Sequence, residues 1–166
     1  MGAGTWESHH AITTLMYRYA ECVDQANFDG LSELFANGTI GSTSAESEEG
    51  MTGAQVGRFY AATNRVHPNG TLCTRHVSTN VMIDIDEAAD LATARSYFVV
   101  FQATKKLPFQ PIVGGRYDDR FERVASQWRF ARRVVHVDQI GDMSEHLSFD
   151  LAKGNVRYDE VVPPKS

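Results

Sequence analysis

The side chains best suited to chemistry in this 166-residue sequence form none of the common nucleophile, zinc or nucleotide motifs. Cys22 and Cys73 lie far apart and match neither a zinc nor a redox spacing. His136 and Asp138 would place two ligands on one strand face, but no third ligand is evident. The sequence also contains no Gly-x-Ser-x-Gly motif and no dinucleotide-binding glycine pattern. These observations predict a site that uses neither a metal ion nor a cofactor.

Proton transfer near neutral pH is the chemistry that the remaining side chains can support. His76 carries an imidazole, which exchanges protons near neutrality, but it shares a predicted strand face with Ser78 and Asn80. A solvated His76 is therefore as good an interpretation as a catalytic one. Asp24 lies at the margin of a predicted helix face, and by itself it is best interpreted as solvating the turn before Asn27.

Tyrosine and arginine side chains supply the candidate donors for a substrate oxygen. Tyr19 is expected in the core, and only the role of its hydroxyl is open. Arg132 and Arg133 are adjacent, so on a regular strand they point to opposite faces. Which of the two faces inward depends on strand parity, and a β-bulge would reverse the answer.

The composition excludes some classes of partner. The formal net charge of −5 leaves no basic surplus for phosphate neutralisation, so we expect no nucleic-acid partner. No apolar run approaches the length of a membrane-spanning helix, and no signal peptide is recognisable. We therefore expect a cytoplasmic protein without a membrane partner.

Helical periodicity dominates the first part of the chain. One apolar face begins at Ile12 and ends at Val23, and either Thr5 or Ser8 is a candidate N-cap. A shorter helix follows with Asn27 as its predicted N-cap. A polar, acidic stretch at 41–50 is typical of an exposed loop, and a third helix is predicted at about 53–64.

The pattern then changes to period two, which indicates strands. Val77, Thr79, Val81, Ile83 and Ile85 alternate with more polar residues. Further strands are predicted at about 92–102, 112–124 and 128–140, the last two joined by a hairpin at 125–127. The apolar centre of the second strand, Tyr97–Phe101, predicts burial on both faces.

Helices followed by long antiparallel strands predict an α+β fold. We expect the N-terminal helices to pack in the concave face of a strongly curved, largely antiparallel sheet. The result would be a cone-shaped half barrel with a central pocket. The whole chain, 1–166, is expected to form one domain with a core at about 8–147 and a tail at 148–166.

Motifs in three parts of the chain resemble the SnoaL-like family of the nuclear transport factor two-like superfamily. They are Tyr19 to Asp24 followed by Leu34-Phe35, His76 to Asn80, and Gly115 to Asp119 followed by Trp128-Arg129-Phe130 and Arg133. The resemblance covers about residues 8–147. Members include scytalone dehydratase, bile acid 7α-dehydratase and hexachlorocyclohexane dehydrochlorinase.

The resemblance implies roles for four residues. Asp24 and His76 correspond to an Asp–His dyad in which the histidine takes a proton from carbon. Tyr19 corresponds to a pocket tyrosine, and Arg133 to a pocket arginine. Asn27 stands where the family often has a second aspartate, which caps the helix equally well but puts the strength of any activity in doubt.

The resemblance therefore predicts a cofactor-free lyase or isomerase acting on a small apolar organic substrate, by dehydration or a double-bond shift. Two alternatives stay open: a non-catalytic module that binds a small molecule or serves assembly, and a protein like the small subunit of ring-hydroxylating dioxygenases. Because helices can cover only one side of the apolar strand at Tyr97–Phe101, we also expect a homodimer or a higher homo-oligomer.

Overall fold

The computed structural model describes residues 2, 4–42 and 50–150. The helices are α1 (Trp6–Asp24), α2 (Phe28–Leu34) and α3 (Gly53–Thr63). The strands are β1 (Thr39–Ser42), β2 (Met51–Thr52), β3 (Thr74–Asp86), β4 (Leu91–Gln102), β5 (Gln110–Val124) and β6 (Gln127–Ile140). Most of the acidic loop expected at 41–50 and the end of the tail, 151–166, lie outside the described residues.

The helices begin where the sequence supplies side-chain acceptors for free backbone N–H groups. The Thr5 side chain accepts from the N–H of Ser8, and the Asn27 side chain accepts from the N–H of Gly30. Thr5, not Ser8, is thus the N-cap of α1. Buried residues of α1 recur at helical spacing and make its inner face: Ile12, Met16, Tyr19 and Val23.

The strands form one unclosed, mixed sheet in the order β2-β1-β6-β5-β4-β3. The long strands β3 to β6 pair antiparallel, while β1 runs parallel to β6. The three helices pack against one face of this sheet, which is the predicted α+β architecture. The sequence patterns missed β1 and β2 because strands of four and two residues show no measurable alternation.

A β-bulge in β3 decides which face His76 occupies. The register shifts between Thr79 and Met82, and Asn80 has a positive φ of 52°. Val77 and Thr79 therefore point to the outer face, although the alternation predicted them on one face with Ile85. His76 pairs with buried Val100 and lies on the inner face, so the solvated interpretation of His76 is wrong.

A second β-bulge, in β6, decides which face of the sheet Arg133 occupies. Phe130 pairs with Phe121 and Arg132 pairs with Arg120, which leaves Ala131 as the extra residue. The bulge turns Arg133 to the same inner face as Phe130 and leaves Arg132 on the outer face. Arg133 is only 1% exposed.

The centre of β4 is buried on one face only. Phe98 and Val100 belong to the core between sheet and helices, whereas Tyr97 is 52% exposed and Val99 and Phe101 are half-buried on the outer face. The predicted burial on both faces is therefore wrong for the single chain.

Candidate functional site

Asp24 and His76 are in direct contact, although 51 residues separate them in the chain. His76 Nδ1 lies 2.6 Å from Asp24 Oδ1, and the backbone N–H of His76 donates to Asp24 Oδ2 at 2.9 Å. The hydroxyl of Thr74 donates to Asp24 Oδ1 at 2.7 Å. The carboxylate therefore accepts three hydrogen bonds from two residues at the beginning of β3.

The end of α1 and the beginning of β3 hold this arrangement. Asp24 is the last residue of α1, and its carbonyl accepts from the N–H of Leu72, which ties the helix end to the chain entering β3. Thr74 and His76 are two residues apart on a strand and therefore point to the same face. Both can reach one carboxylate for this reason.

The hydrogen bonds fix the protonation of the pair. Burial raises the pKa of Asp24, but the hydrogen bond and charge of His76, with further hydrogen bonds, outweigh burial and hold this pKa below its ordinary value. An ionised carboxylate only accepts hydrogen bonds, so Nδ1 of His76 carries the proton. In the neutral imidazole Nε2 is then the unprotonated nitrogen, available as a base.

Arg133 forms a buried ion pair with Asp119, a residue that the sequence interpretation did not select. Arg133 Nε and Nη2 donate to the two carboxylate oxygens at 2.8 and 2.7 Å. Burial by itself would lower the pKa of Arg133, but the Asp119 carboxylate raises it above its ordinary value. The guanidinium therefore stays charged, and two of its nitrogens are committed to Asp119.

Aromatic rings enclose this guanidinium. Its central carbon lies 4.3 Å from the Tyr19 ring centroid and 4.1 Å from that of Tyr117. The hydroxyl oxygens of Tyr19 and Tyr60 lie 2.7 Å apart. Burial raises the pKa of Tyr19, Tyr60 and Tyr117, so all three phenols remain protonated donors at neutral pH.

The four predicted residues thus form two pairs at different levels of the sheet. His76 pairs with Val100 on β4. Arg133 pairs with Asp119 on β5, and Asp119 pairs with Ala94 on β4. Six residues along a strand correspond to roughly 20 Å. Tyr19 contacts Arg133, and Asp24 contacts His76. Along α1, Tyr19 and Asp24 are only five residues apart, about 7.5 Å of helix rise, so both pairs lie against the same part of this helix.

Four polar atoms belonging to this inner region are buried without a hydrogen-bond partner among the described residues: Ser96 Oγ, Gln102 Oε1, Arg133 Nη1 and His146 Nδ1. Such atoms are uncommon, because leaving a buried polar group unpaired costs about 1–3 kcal/mol. Gln102 and His146 were not predicted as site residues. His146 lies beyond the last strand, where no periodic pattern indicated that it is buried.

The outer face of the sheet carries a separate groove of about 430 Å³. Arg95, Arg120 and Arg132 line it together with Asp84 and Asp118. Its lining also includes apolar Met82 and Val134, as well as Asp119, but it does not include the Asp24–His76 pair.

Neither a metal cluster nor a membrane-spanning helix is found in the described part of the chain. Among residues 2, 4–42 and 50–150, no group of three or more His, Cys, Asp or Glu side chains is arranged to hold a metal ion. No helix in these ranges combines the length and apolar character that crossing a membrane requires.

A comparison with known protein families identifies the fold independently. A family model described as a SnoaL-like domain matches residues 4–134, which is most of the chain. The chain belongs to the SnoaL-like family. No curated protein sequence matches this SnoaL-like protein.

Solved structures show the same fold. An NTF2-like protein with a cystatin-like fold from Novosphingobium aromaticivorans is 22% identical with a TM-score of 0.64, over 79% of this chain and 82% of that one. From the same organism, a protein provisionally named scytalone dehydratase is 24% identical with a TM-score of 0.61, over 82% and 87%. A provisionally named aromatic-ring-hydroxylating dioxygenase β subunit is 18% identical with a TM-score of 0.58, over 81% and 91%. At these identities the likeness shows the fold alone.

Proposed function

We propose that this SnoaL-like protein is a cofactor-free lyase or isomerase that removes a proton from carbon in a small apolar organic substrate. The observation that carries the proposal is the partly buried contact between His76 Nδ1 and the ionised Asp24 carboxylate. In the neutral imidazole this contact keeps the proton on Nδ1, so that Nε2 can accept a proton, and it stabilises the imidazolium that then forms.

In the dehydration version, Nε2 of His76 takes a proton from a carbon next to a carbonyl or an aromatic ring. The C–H electrons form a C=C bond as the C–O bond to a β-hydroxyl breaks. The imidazolium then returns its proton to the leaving hydroxide, which departs as water. In the isomerase version, the proton returns to a different carbon and no bond to oxygen breaks.

Tyr19 and Arg133 are proposed to act at the other end of the substrate. One of the Tyr19 and Tyr60 hydroxyls donates to the other, so this pair has one hydroxyl hydrogen left for a substrate oxygen. Arg133 Nη1 has no partner among the described residues and is a second candidate donor. Asp119 is proposed as a positioning residue that holds the guanidinium against the rings of Tyr19 and Tyr117.

A screen of small hydroxylated and enolisable compounds by thermal shift, followed by product analysis of every hit, tests the proposal. We expect at least one hit to be converted by loss of water or by a double-bond shift. The matched control is His76→Ala, which should bind the same hit but turn it over more slowly. Hits that bind both proteins and are never converted would show a binding module instead.

The same assay tests the proposal that no metal ion is needed. Dialysis against a chelator should leave the rate unchanged, since the proposed chemistry uses only protein groups. A rate that disappeared on dialysis and returned with zinc would contradict this part of the proposal.

A further inference from the structure

A segment after β6 closes one end of the site. We call residues 141–150 the C-terminal strap. The N–H of Arg65 donates to the His146 carbonyl, and the N–H of Ser148 donates to the Thr63 carbonyl, both at 2.8 Å. The Glu145 carbonyl accepts from Gln102 Nε2 and from the His67 ring, each at 3.0 Å. The strap is thus fixed both to the end of α3 and to the end of β4.

The strap places His146 beside the proposed dyad. His146 is 6% exposed. The carbonyl of the neighbouring Glu145 accepts from Gln102, which pairs with Thr74 across the β3–β4 ladder, and the Thr74 hydroxyl donates to Asp24. Burial lowers the pKa of His146 to about 3; electrostatic interaction with His76 acts in the same direction, and the Asp24 carboxylate opposes it. The imidazole is therefore neutral throughout the pH range in which His76 would act as a base.

The hydrogen bonding of His146 is not that of a histidine buried only for packing. A neutral imidazole has one donor and one acceptor nitrogen, and a structural histidine normally pairs its buried nitrogens. Nδ1 of His146 is buried and has no partner among the described residues. Gln102, which anchors the strap through its Nε2, has its Oε1 buried and unpaired as well.

We propose that His146 is a further substrate-contacting residue of the site, and that its Nδ1 hydrogen-bonds a hydroxyl or carbonyl oxygen of the substrate. The proposal rests on the proposed function, because it assumes that a small apolar molecule occupies the space next to His76. It adds that this molecule carries an oxygen at the end of the site covered by the strap. A neutral imidazole orients or polarises such an oxygen without competing with His76 for the proton.

Two fluorescent probes separate this contact from general packing. 2-Naphthol and naphthalene share a bicyclic apolar body, and only 2-naphthol carries a hydroxyl. Their dissociation constants should be measured by fluorescence titration for the wild type, His146→Phe and His146→Asn. Phenylalanine keeps a ring of similar bulk without nitrogen, whereas asparagine keeps a polar atom close to the position of Nδ1.

We expect the wild type to prefer 2-naphthol, and His146→Phe to reduce this preference about 3- to 10-fold, the usual worth of one neutral hydrogen bond. His146→Asn should restore part of the preference. If His146 had a purely structural role, its substitution would weaken the binding of both probes equally and leave the ratio of their dissociation constants unchanged. That result would overturn the proposal for His146 and leave the proposed role of His76 untouched. If the wild type bound neither probe, the proposal for His146 and the proposed apolar substrate would fail together.

Discussion

Asp24→Asn removes the charge of the proposed dyad while keeping the shape of the side chain. The carboxylate accepts from the Thr74 hydroxyl, the His76 N–H and His76 Nδ1. The asparagine amide has one accepting oxygen and one donating NH₂ group in place of the two accepting carboxylate oxygens. The NH₂ group must therefore either face one of these donors or change which nitrogen of the imidazole is protonated. If the NH₂ group faces Nδ1, the proton moves to Nε2 and the base is lost.

The magnitude follows from these contacts. One buried donor left without an acceptor costs about 1–3 kcal/mol, so we expect a loss of about 2 kcal/mol in the free energy of unfolding. For a domain of this size, that corresponds to roughly 4–8 °C in melting temperature. The rate should fall by about 10²–10⁴-fold, because the imidazolium loses its counter-charge and its tautomer is no longer fixed.

Three measurements check this prediction: turnover of a substrate from the screen, thermal melting, and ¹⁵N NMR of the His76 ring. Asp29→Asn is the matched control, because Asp29 is exposed in the first turn of α2 and should change stability by less than about 0.5 kcal/mol. An Asp24→Asn protein with wild-type turnover and a proton still on Nδ1 would refute the reasoning.

Three further predictions concern stability and assembly. Because the pKa of His146 is about 3 in the folded chain and that of free imidazole is about 6.5, the unfolded chain binds an extra proton between these values. The wild type should therefore lose about 2 kcal/mol of stability between pH 6.5 and 5 that His146→Phe does not lose, and equal losses in urea denaturation would contradict this. Asp119→Asn should cost about 3–5 kcal/mol by leaving the Arg133 charge buried and unpaired. Asp118→Asn, on the outer face, is the control, and equal unfolding midpoints for the two variants would disprove the buried-pair account. The wild type should scatter light as a dimer or larger oligomer at micromolar concentration and Tyr97→Asp as a monomer, whereas a monomeric wild type would rule out assembly through this face.

The regular elements were predictable from local signals. The apolar spacing of α1, the capping side chains of Thr5 and Asn27, and the period-two pattern of the long strands each depend on nearby residues only. A tight hairpin at 125–127 was also predicted. In the structure the turn consists of Ala125 and Ser126, because β6 already begins at Gln127, and both residues have the positive φ values that a two-residue hairpin turn requires.

The β-bulges were not predictable from the alternation of apolar and polar residues. They determine that His76 and Arg133 lie on the inner face of the sheet. A bulge adds one residue to a strand without changing its apolar character, so the pattern from Val77 to Ile85 looked regular. Asn80 in a left-handed conformation is a weak signal, since asparagine tolerates positive φ better than most residues. Spacing alone could not have joined Asp24 to His76, and only the resemblance to a family brought the two residues together.

The buried polar partners were missed for a similar reason. Asp119 and Arg133 are 14 positions apart on two strands joined by a hairpin, and their pairing depends on the bulge at Ala131. His146 lies after the last strand, where burial comes from contacts with α3 and β4 and not from any periodicity of its own segment.

The most direct test of the central claim is the turnover number of His76→Ala compared with that of the wild type, on a substrate from the ligand screen. If His76 is the base, turnover should fall about 10²–10⁴-fold. The dissociation constant should change far less, because an apolar pocket supplies most of the binding. Unchanged turnover in His76→Ala would show that proton abstraction, if it occurs, is carried out by a different residue.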